Sequence, residues 1–321
     1  MMYTPLKMRP CYKGYLWGGT RLKTEYGKWD APEITAESWE LSAHSDGMST
    51  VENGPLAGKT LVDLAELNRM GYWGKACGEG AFPILIKLID AKENLSIQVH
   101  PSDETADVSL GETGKTELWY ILDCQPQSCI YLGFSQKVTR EQFLASARDG
   151  SILERLNRVP VSRGDVFYVL PGVIHAIGSG ILIAEIQRNS NTTFRIYDYG
   201  RRGADGAERP LHLERAAQTL NYAPLIPETC RANNSVTFPE FCLSEMYSCP
   251  WFHSYCADVY RELDLRCDGL SFQHLLCTDG TGEIVTKDGR SAFQRGDSWF
   301  LPAAMGFYKI RGKCRFLLTR L

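Results

Sequence analysis

Short apolar or alternating runs separated by Gly, Pro, Asp and Asn predict a mainly β chain, a sandwich or jelly roll rather than alternating β and α. Two further observations agree. Few segments carry helical spacing, and a strand–turn element recurs: Arg163-Gly-Asp-Val-Phe-Tyr-Val-Leu-Pro171 resembles Arg295-Gly-Asp-Ser-Trp-Phe-Leu-Pro302. The echo predicts two related barrels. Four residues beyond each proline, His175 falls opposite Gly306, so the second barrel is expected to be metal-free.

The expected strands, in order, are Ile84 to Ile89, Asn94 to His100, Lys115 to Asp123, Val166 to Leu170, Ile181 to Ile186, Phe194 to Tyr199, Ser298 to Leu301 and Cys314 to Thr319. Lys59 to Lys75 places Leu61, Leu64, Ala65 and Asn68 at helical spacing, an accessory helix packed on a sheet. Thr139-Arg-Glu-Gln142 and Ser151-Ile-Leu-Glu154 both read as capping boxes, with Asp149-Gly150 between them. They predict a helix, a tight break and another helix, forming an insertion over 139–158 that covers a barrel mouth or flank. A further short helix is expected from His212 to Leu220.

At 321 residues the chain has room for two core-bearing domains. A hydrophobic fraction of 44% and a charged fraction of 23% are ordinary for a globular protein. The formal charge of −3 gives no reason to expect nucleic acid or an anionic membrane as partner. No N-terminal signal and no long apolar run is read in the sequence, so a cytoplasmic location is expected. The 11 cysteines are odd in number and lack a Cys-x-x-Cys pair, which favours reduced thiols in core positions.

Gln98-Val-His-Pro101, Lys115-Thr-Glu117 and Pro171-Gly-Val-Ile-His175 can close a mononuclear metal site. Two imidazoles, a carboxylate and an amide suit Zn²⁺ with a position left for substrate. If Asn94 to His100 is extended, Ser96, Gln98 and His100 share one face. The same alternation puts Lys115, Glu117, Trp119 and Ile121 together. Only six histidines occur in the chain, and two of them end strand-like segments on either side of the carboxylate.

These segments also carry a family resemblance. Phe82-Pro-Ile-Leu-Ile-Lys87, Leu95-Ser-Ile-Gln-Val-His-Pro101, Gly114-Lys-Thr-Glu117, Pro171-Gly-Val-Ile-His175 and Asn191-Thr-Thr-Phe-Arg195 resemble the type I mannose-6-phosphate isomerases in their short bacterial form, of the cupin superfamily. Tyr15-Leu-Trp-Gly-Gly19 and Glu37-Ser-Trp-Glu-Leu-Ser42 resemble that family's opening segments. The likeness runs from about residue 12 to about 215. It implies two cupin-type jelly-roll barrels: a metal-binding catalytic region over 1–235 and a metal-free cupin-like barrel over 236–321.

The resemblance further implies one Zn²⁺ per chain, held by Gln98, His100, Glu117 and His175, and interconversion of mannose 6-phosphate and fructose 6-phosphate. Gln98 is either a ligand or a partner of one. Aldose–ketose isomerisation through a cis-enediol needs a base and a stabiliser for the developing oxyanion. Arg195 is the expected stabiliser, and Lys115 lies where an ammonium can serve proton transfer. Glu185 is either the base or an ion-pair partner of Arg195. Lys87, in an apolar run where a cation needs an anion, and Ser96 are expected to contact the substrate. Arg201 and Arg202 are candidates for a phosphate clamp. The expected partner is a small-molecule sugar phosphate, with the oligomeric state left open. The alternatives are another metallo-cupin enzyme, such as an iron dioxygenase or a different phosphosugar isomerase, and a non-catalytic sugar-binding cupin.

Overall fold

The structure, a computed structural model, describes residues 3–203, 206–228 and 234–321. Every strand run expected from sequence forms a strand, often longer than its apolar stretch, as with Ile84–Ala91, Glu117–Cys124 and Ile181–Arg188. Between Asn94 and His100, regular pairing is confined to Ile97–Val99. No helix among the described residues is long and apolar enough to cross a membrane.

The chain forms two compact units, both discontinuous in sequence. One comprises 1–13, 20–88 and 230–321, and the other 14–19 and 89–229. The first is built on an antiparallel sheet. Gly306–Arg320 and Gln273–Thr286 pair at its centre, and Ser298–Leu301, Leu6–Arg9, His253–Val259 and Phe241–Ser248 extend it. Leu275, Trp299, Leu301, Ile310, Phe316 and Leu318 fill its core.

The accessory helix of this unit runs from Leu61 to Tyr72, and its N-terminus carries a capping box that was not anticipated. Thr60 Oγ1 accepts from the Asp63 amide at 3.2 Å, and Asp63 Oδ2 accepts from the Thr60 amide at 2.7 Å. Asn68 does not continue the helical stripe: its backbone leaves helical geometry. Its side chain instead accepts from the Gly71 amide and donates to the Tyr3 hydroxyl. An asparagine competes for backbone hydrogen bonds in this way, and the helix kinks there.

In the second unit, Leu156–Pro160, Cys129–Phe134, His175–Ile177, Ile97–Val99 and Phe194–Tyr197 form a five-stranded sheet in that order, antiparallel throughout. Val166–Val169, Glu117–Cys124 and Ile181–Arg188 pair in a second antiparallel layer. One face of the five-stranded sheet, including Ile97, Val99, Ala176, Phe194 and Ile196, packs on Phe143, Leu144, Ala147, Ala216 and Leu220 of the helical segments. The insertion therefore covers a flank. It comprises the helix Arg140–Asp149, with the expected Thr139–Gln142 box, and a 3₁₀ turn Ser151–Arg155. Ser151 does not cap that turn: its amide and hydroxyl are claimed by Asp149 Oδ1. The third short helix runs from Leu213 to Thr219.

Candidate metal centre

With apolar side chains committed to the helical flank, alternation turns Gln98, His175 and Arg195 to the opposite face of the five-stranded sheet. The register makes this a row: His175 stands opposite Gln98, and Gln98 opposite Arg195. Directly opposed residues have Cβ atoms about 4.5–5.5 Å apart. His175 is delivered by the Pro171–Gly172 turn. Gly172 takes φ +79, and a Cβ there would stand 3.1 Å from the Thr219 carbonyl. Its amide donates to the His100 carbonyl at 2.9 Å, so the turn is tied to the other histidine's backbone.

The second layer supplies the charges. Glu117 opens the strand Glu117–Cys124, opposite Gln187, and Trp119 stands opposite Glu185, so all four share a face. His100, Glu117 and His175 are all buried, with ligand atoms mutually within 4.8 Å. His100 Nε2 is 3.0 Å from Glu117 Oε1 and 3.1 Å from His175 Nε2, and His175 Nε2 is 3.8 Å from Glu117 Oε2. Ligands held about 2.0–2.2 Å from a zinc ion stand about 3.3 Å apart in a tetrahedron. The three protein groups already have that spacing.

Their protonation calls for a cation. His100 Nδ1 lies 2.9 Å from the Thr192 carbonyl and His175 Nδ1 lies 2.8 Å from the Val173 carbonyl. A carbonyl only accepts, so both Nδ1 atoms carry hydrogen and both neutral rings turn Nε2 lone pairs inward. Burial, reinforced by the Lys115 ammonium, pushes His100 down to about 3, and burial also lowers His175. Burial would raise the Glu117 carboxyl, but Lys115 and then the imidazoles hold it well below the usual range. Two lone pairs and a carboxylate thus face one another out of water, an arrangement that a metal ion relieves.

Lys115 and Glu185 join this cluster. Lys115 Nζ is 2.6 Å from Glu117 Oε1, 3.3 Å from His100 Nε2 and 3.9 Å from Glu185 Oε1. Glu185 is met by the Lys115 ammonium, whereas the Arg195 guanidinium is bonded to the Pro210 carbonyl. Gln98 acts as a donor here: its Nε2 is 3.4 Å from His175 Nε2, and its Oε1 accepts from Ser96 Oγ at 3.4 Å. A 180° rotation of that amide would present Oε1 in its place. The Arg195 guanidinium donates through Nη1 to the Pro210 carbonyl at 3.0 Å, while its buried Nε finds no acceptor among the described residues.

Lys87 belongs to the other compact unit, where Glu37 lies 3.5 Å from it and the Trp39 ring 5.1 Å from its ammonium. The proposed arginine clamp is otherwise employed. Arg201 pairs with Asp198 and donates to the Asn94 carbonyl, and Arg202 pairs with Glu208. Sequence reasoning placed Trp119 on the face of Glu117 but gave no role to its ring, which stands edge-on to His175 at 5.5 Å, and it missed the carbonyls that fix the two tautomers. Trp119 was within reach of alternation from Glu117; backbone carbonyls leave no side-chain signal.

Two family descriptions match the chain: "phosphomannose isomerase type I, catalytic domain" over residues 6–128 and "mannose-6-phosphate isomerase, cupin domain" over 245–321. The mannose-6-phosphate isomerase of Bacillus subtilis strain 168 is 36% identical over 322 residues, covering 100% of both chains. The crystal structure of a mannose 6-phosphate isomerase from Bacillus subtilis superposes with a TM-score of 0.91 at 33% identity, covering 99% of this chain and 100% of that one. A mannose 6-phosphate isomerase crystallised in a zinc-bound holo form shares the fold, with a TM-score of 0.76 at 16% identity over 98% of each chain. The mainly β fold is thus of cupin type. Sharing more than a third of its residues with such a relative from end to end, the chain belongs to the type I phosphomannose isomerase family.

Proposed function

We propose that the chain is a zinc-dependent aldose–ketose isomerase that interconverts mannose 6-phosphate and fructose 6-phosphate through a cis-enediol. The observation that carries this reading is the juxtaposition of a buried acceptor triad with a carboxylate and an ammonium on one sheet face. A structural metal site would not need Glu185 and Lys115 at its edge. His100, Glu117 and His175 would hold the zinc, with the Gln98 amide beside them. The ion would supply Lewis-acid polarisation and orientation of the sugar oxygens.

The remaining chemistry belongs to side chains. Glu185 removes the proton from C2 of the open-chain aldose, and the electron pair moves into the C1–C2 double bond as O1 gains a proton. Lys115 moves that proton between O1 and O2: O1 is protonated in forming the enediol, and O2 is deprotonated as the ketone forms. Glu185 then delivers a proton to C1 on the same face, so atoms balance without a co-reactant. Arg195, on the sheet face of Gln98 and His175, stabilises negative charge on the enediolate oxygens. Ser96, bonded to Gln98, and Lys87, already met by Glu37, are assigned to the substrate. The reading also carries a cytoplasmic location.

Mannose 6-phosphate incubated with the enzyme in D₂O and followed by NMR tests it. Fructose 6-phosphate carrying deuterium at C1 is expected, because a proton held by a carboxylate exchanges with solvent. Absence of the ketose would overturn the activity, and C1 still free of deuterium after many forward and reverse turnovers would contradict a base that exchanges its proton with solvent.

A further inference from the structure

We propose that Gln187 is a positioning residue for the metal centre, acting through the 188–192 turn on the tautomer of His100; this rests on the metal reading above. Gln187 is fully buried and stands opposite Glu117 in the strand register. Its amide nitrogen donates to two carbonyls of the following turn, Arg188 at 2.8 Å and Ser190 at 2.5 Å. Both donors are spent on the backbone, and Oε1 has no partner among the described residues. A buried amide held this way serves its donors, because an unsatisfied acceptor costs about 1–3 kcal/mol.

The turn is bonded onward toward the metal ligands. The Ser190 hydroxyl is buried; it donates to the Thr113 carbonyl at 3.0 Å and accepts from the Thr192 amide at 3.4 Å. The Thr192 carbonyl is the acceptor that takes Nδ1–H of His100 at 2.9 Å. The Arg188 amide donates to the Thr116 carbonyl at 3.1 Å, next to Glu117. One side chain therefore governs the turn that orients one ligand and braces the segment carrying another. Groups that orient a metal-bound histidine typically change metal affinity about 10–100-fold when removed.

The choice of residue is specific. Glutamate at this position would turn two acceptors toward two carbonyls, and methionine would keep the volume and lose both donors. Neither substitution replaces a ligand, although both alter the cross-strand neighbour of Glu117.

The test uses full-length protein, with zinc affinity measured by competition against a chromophoric chelator and the visible spectrum of the Co²⁺-substituted form recorded. Gln187→Met and Gln187→Glu are expected to bind zinc about 10–100-fold more weakly than wild type, with a shifted Co²⁺ spectrum. Ser190→Ala removes the next link; it should show the same effect and combine with Gln187→Met non-additively. If the wild type binds zinc and both Gln187 variants and Ser190→Ala keep its affinity and spectrum, Gln187 is merely structural and the inference is overturned. Independent, fully additive losses would overturn the relay as well. A wild-type chain that binds no zinc would overturn both this inference and the metal reading on which it rests.

Discussion

Replacing Lys115 by methionine separates proton transfer from metal binding. The ammonium is 4% exposed and lies between Glu117, 2.6 Å away, and Glu185, 3.9 Å away. At an effective dielectric near 20, unit charges about 4 Å apart attract by about 4 kcal/mol, and Glu185 would lose that stabilisation. Positioned general acids and bases contribute about 10²–10⁴-fold, or about 3–5 kcal/mol of barrier. Both routes place the loss near 10³-fold in kcat. Zinc content should not fall, because the ammonium sits 3.3 Å from a ligating nitrogen and repels a divalent ion. In the zinc-free protein, breaking the buried pair should cost about 3–5 kcal/mol of stability. The assay couples fructose 6-phosphate formation to a dehydrogenase, with zinc counted on the same samples. A variant within tenfold of wild type would refute the proton-transfer role. Zinc and turnover lost together would make Lys115 a support of the metal site.

Three other outcomes follow from the same geometry. Glu185→Gln keeps the side chain's shape but removes the base, so kcat should fall about 10²–10⁴-fold with zinc retained; unchanged turnover would return the base role to another group. His274, fully buried with Nε2–H donating to Ser298 Oγ at 2.8 Å, is pushed down to about 3 by burial and then by Lys28. Because its folded pKa lies below the unfolded value of about 6.5, the unfolded chain takes up the proton first and stability is lost as pH falls through 6.5 toward 3. Between pH 7 and pH 5 its share is about 2 kcal/mol, so urea midpoints of wild type should fall more steeply than those of His274→Gln. Equal slopes would contradict this. Thr60→Ala, which removes the cap of the helix Leu61–Tyr72, should cost about 1 kcal/mol in the same titration, and no measurable change would show the cap to be dispensable.

The strands were legible in sequence because each buries a continuous or alternating apolar run, and burial decides the register as well as the element. His100, Glu117 and His175 were legible for a related reason: alternation fixes which side chains leave the core. What failed was local hydrogen-bond competition. Asn68 and Asp149 each take backbone groups that periodicity assigns to a helix, and no window of apolar spacing registers that. The pairing of Lys87 with Glu37 was hidden too, because the two are 50 residues apart in sequence and meet only in the folded unit. Gln187 could have been found, lying two residues beyond Glu185 on one face. Its link to His100 could not, since it passes through the backbone carbonyls of Ser190 and Thr192.

If the buried His–Glu–His cluster holds the zinc on which isomerisation depends, turnover must follow bound metal. The most direct test follows fructose 6-phosphate formation from mannose 6-phosphate while a strong chelator strips the metal, with zinc content measured at each point and zinc then restored. Turnover should fall in proportion to bound zinc and return at one ion per chain. Full turnover after zinc is shown to have left would contradict the account.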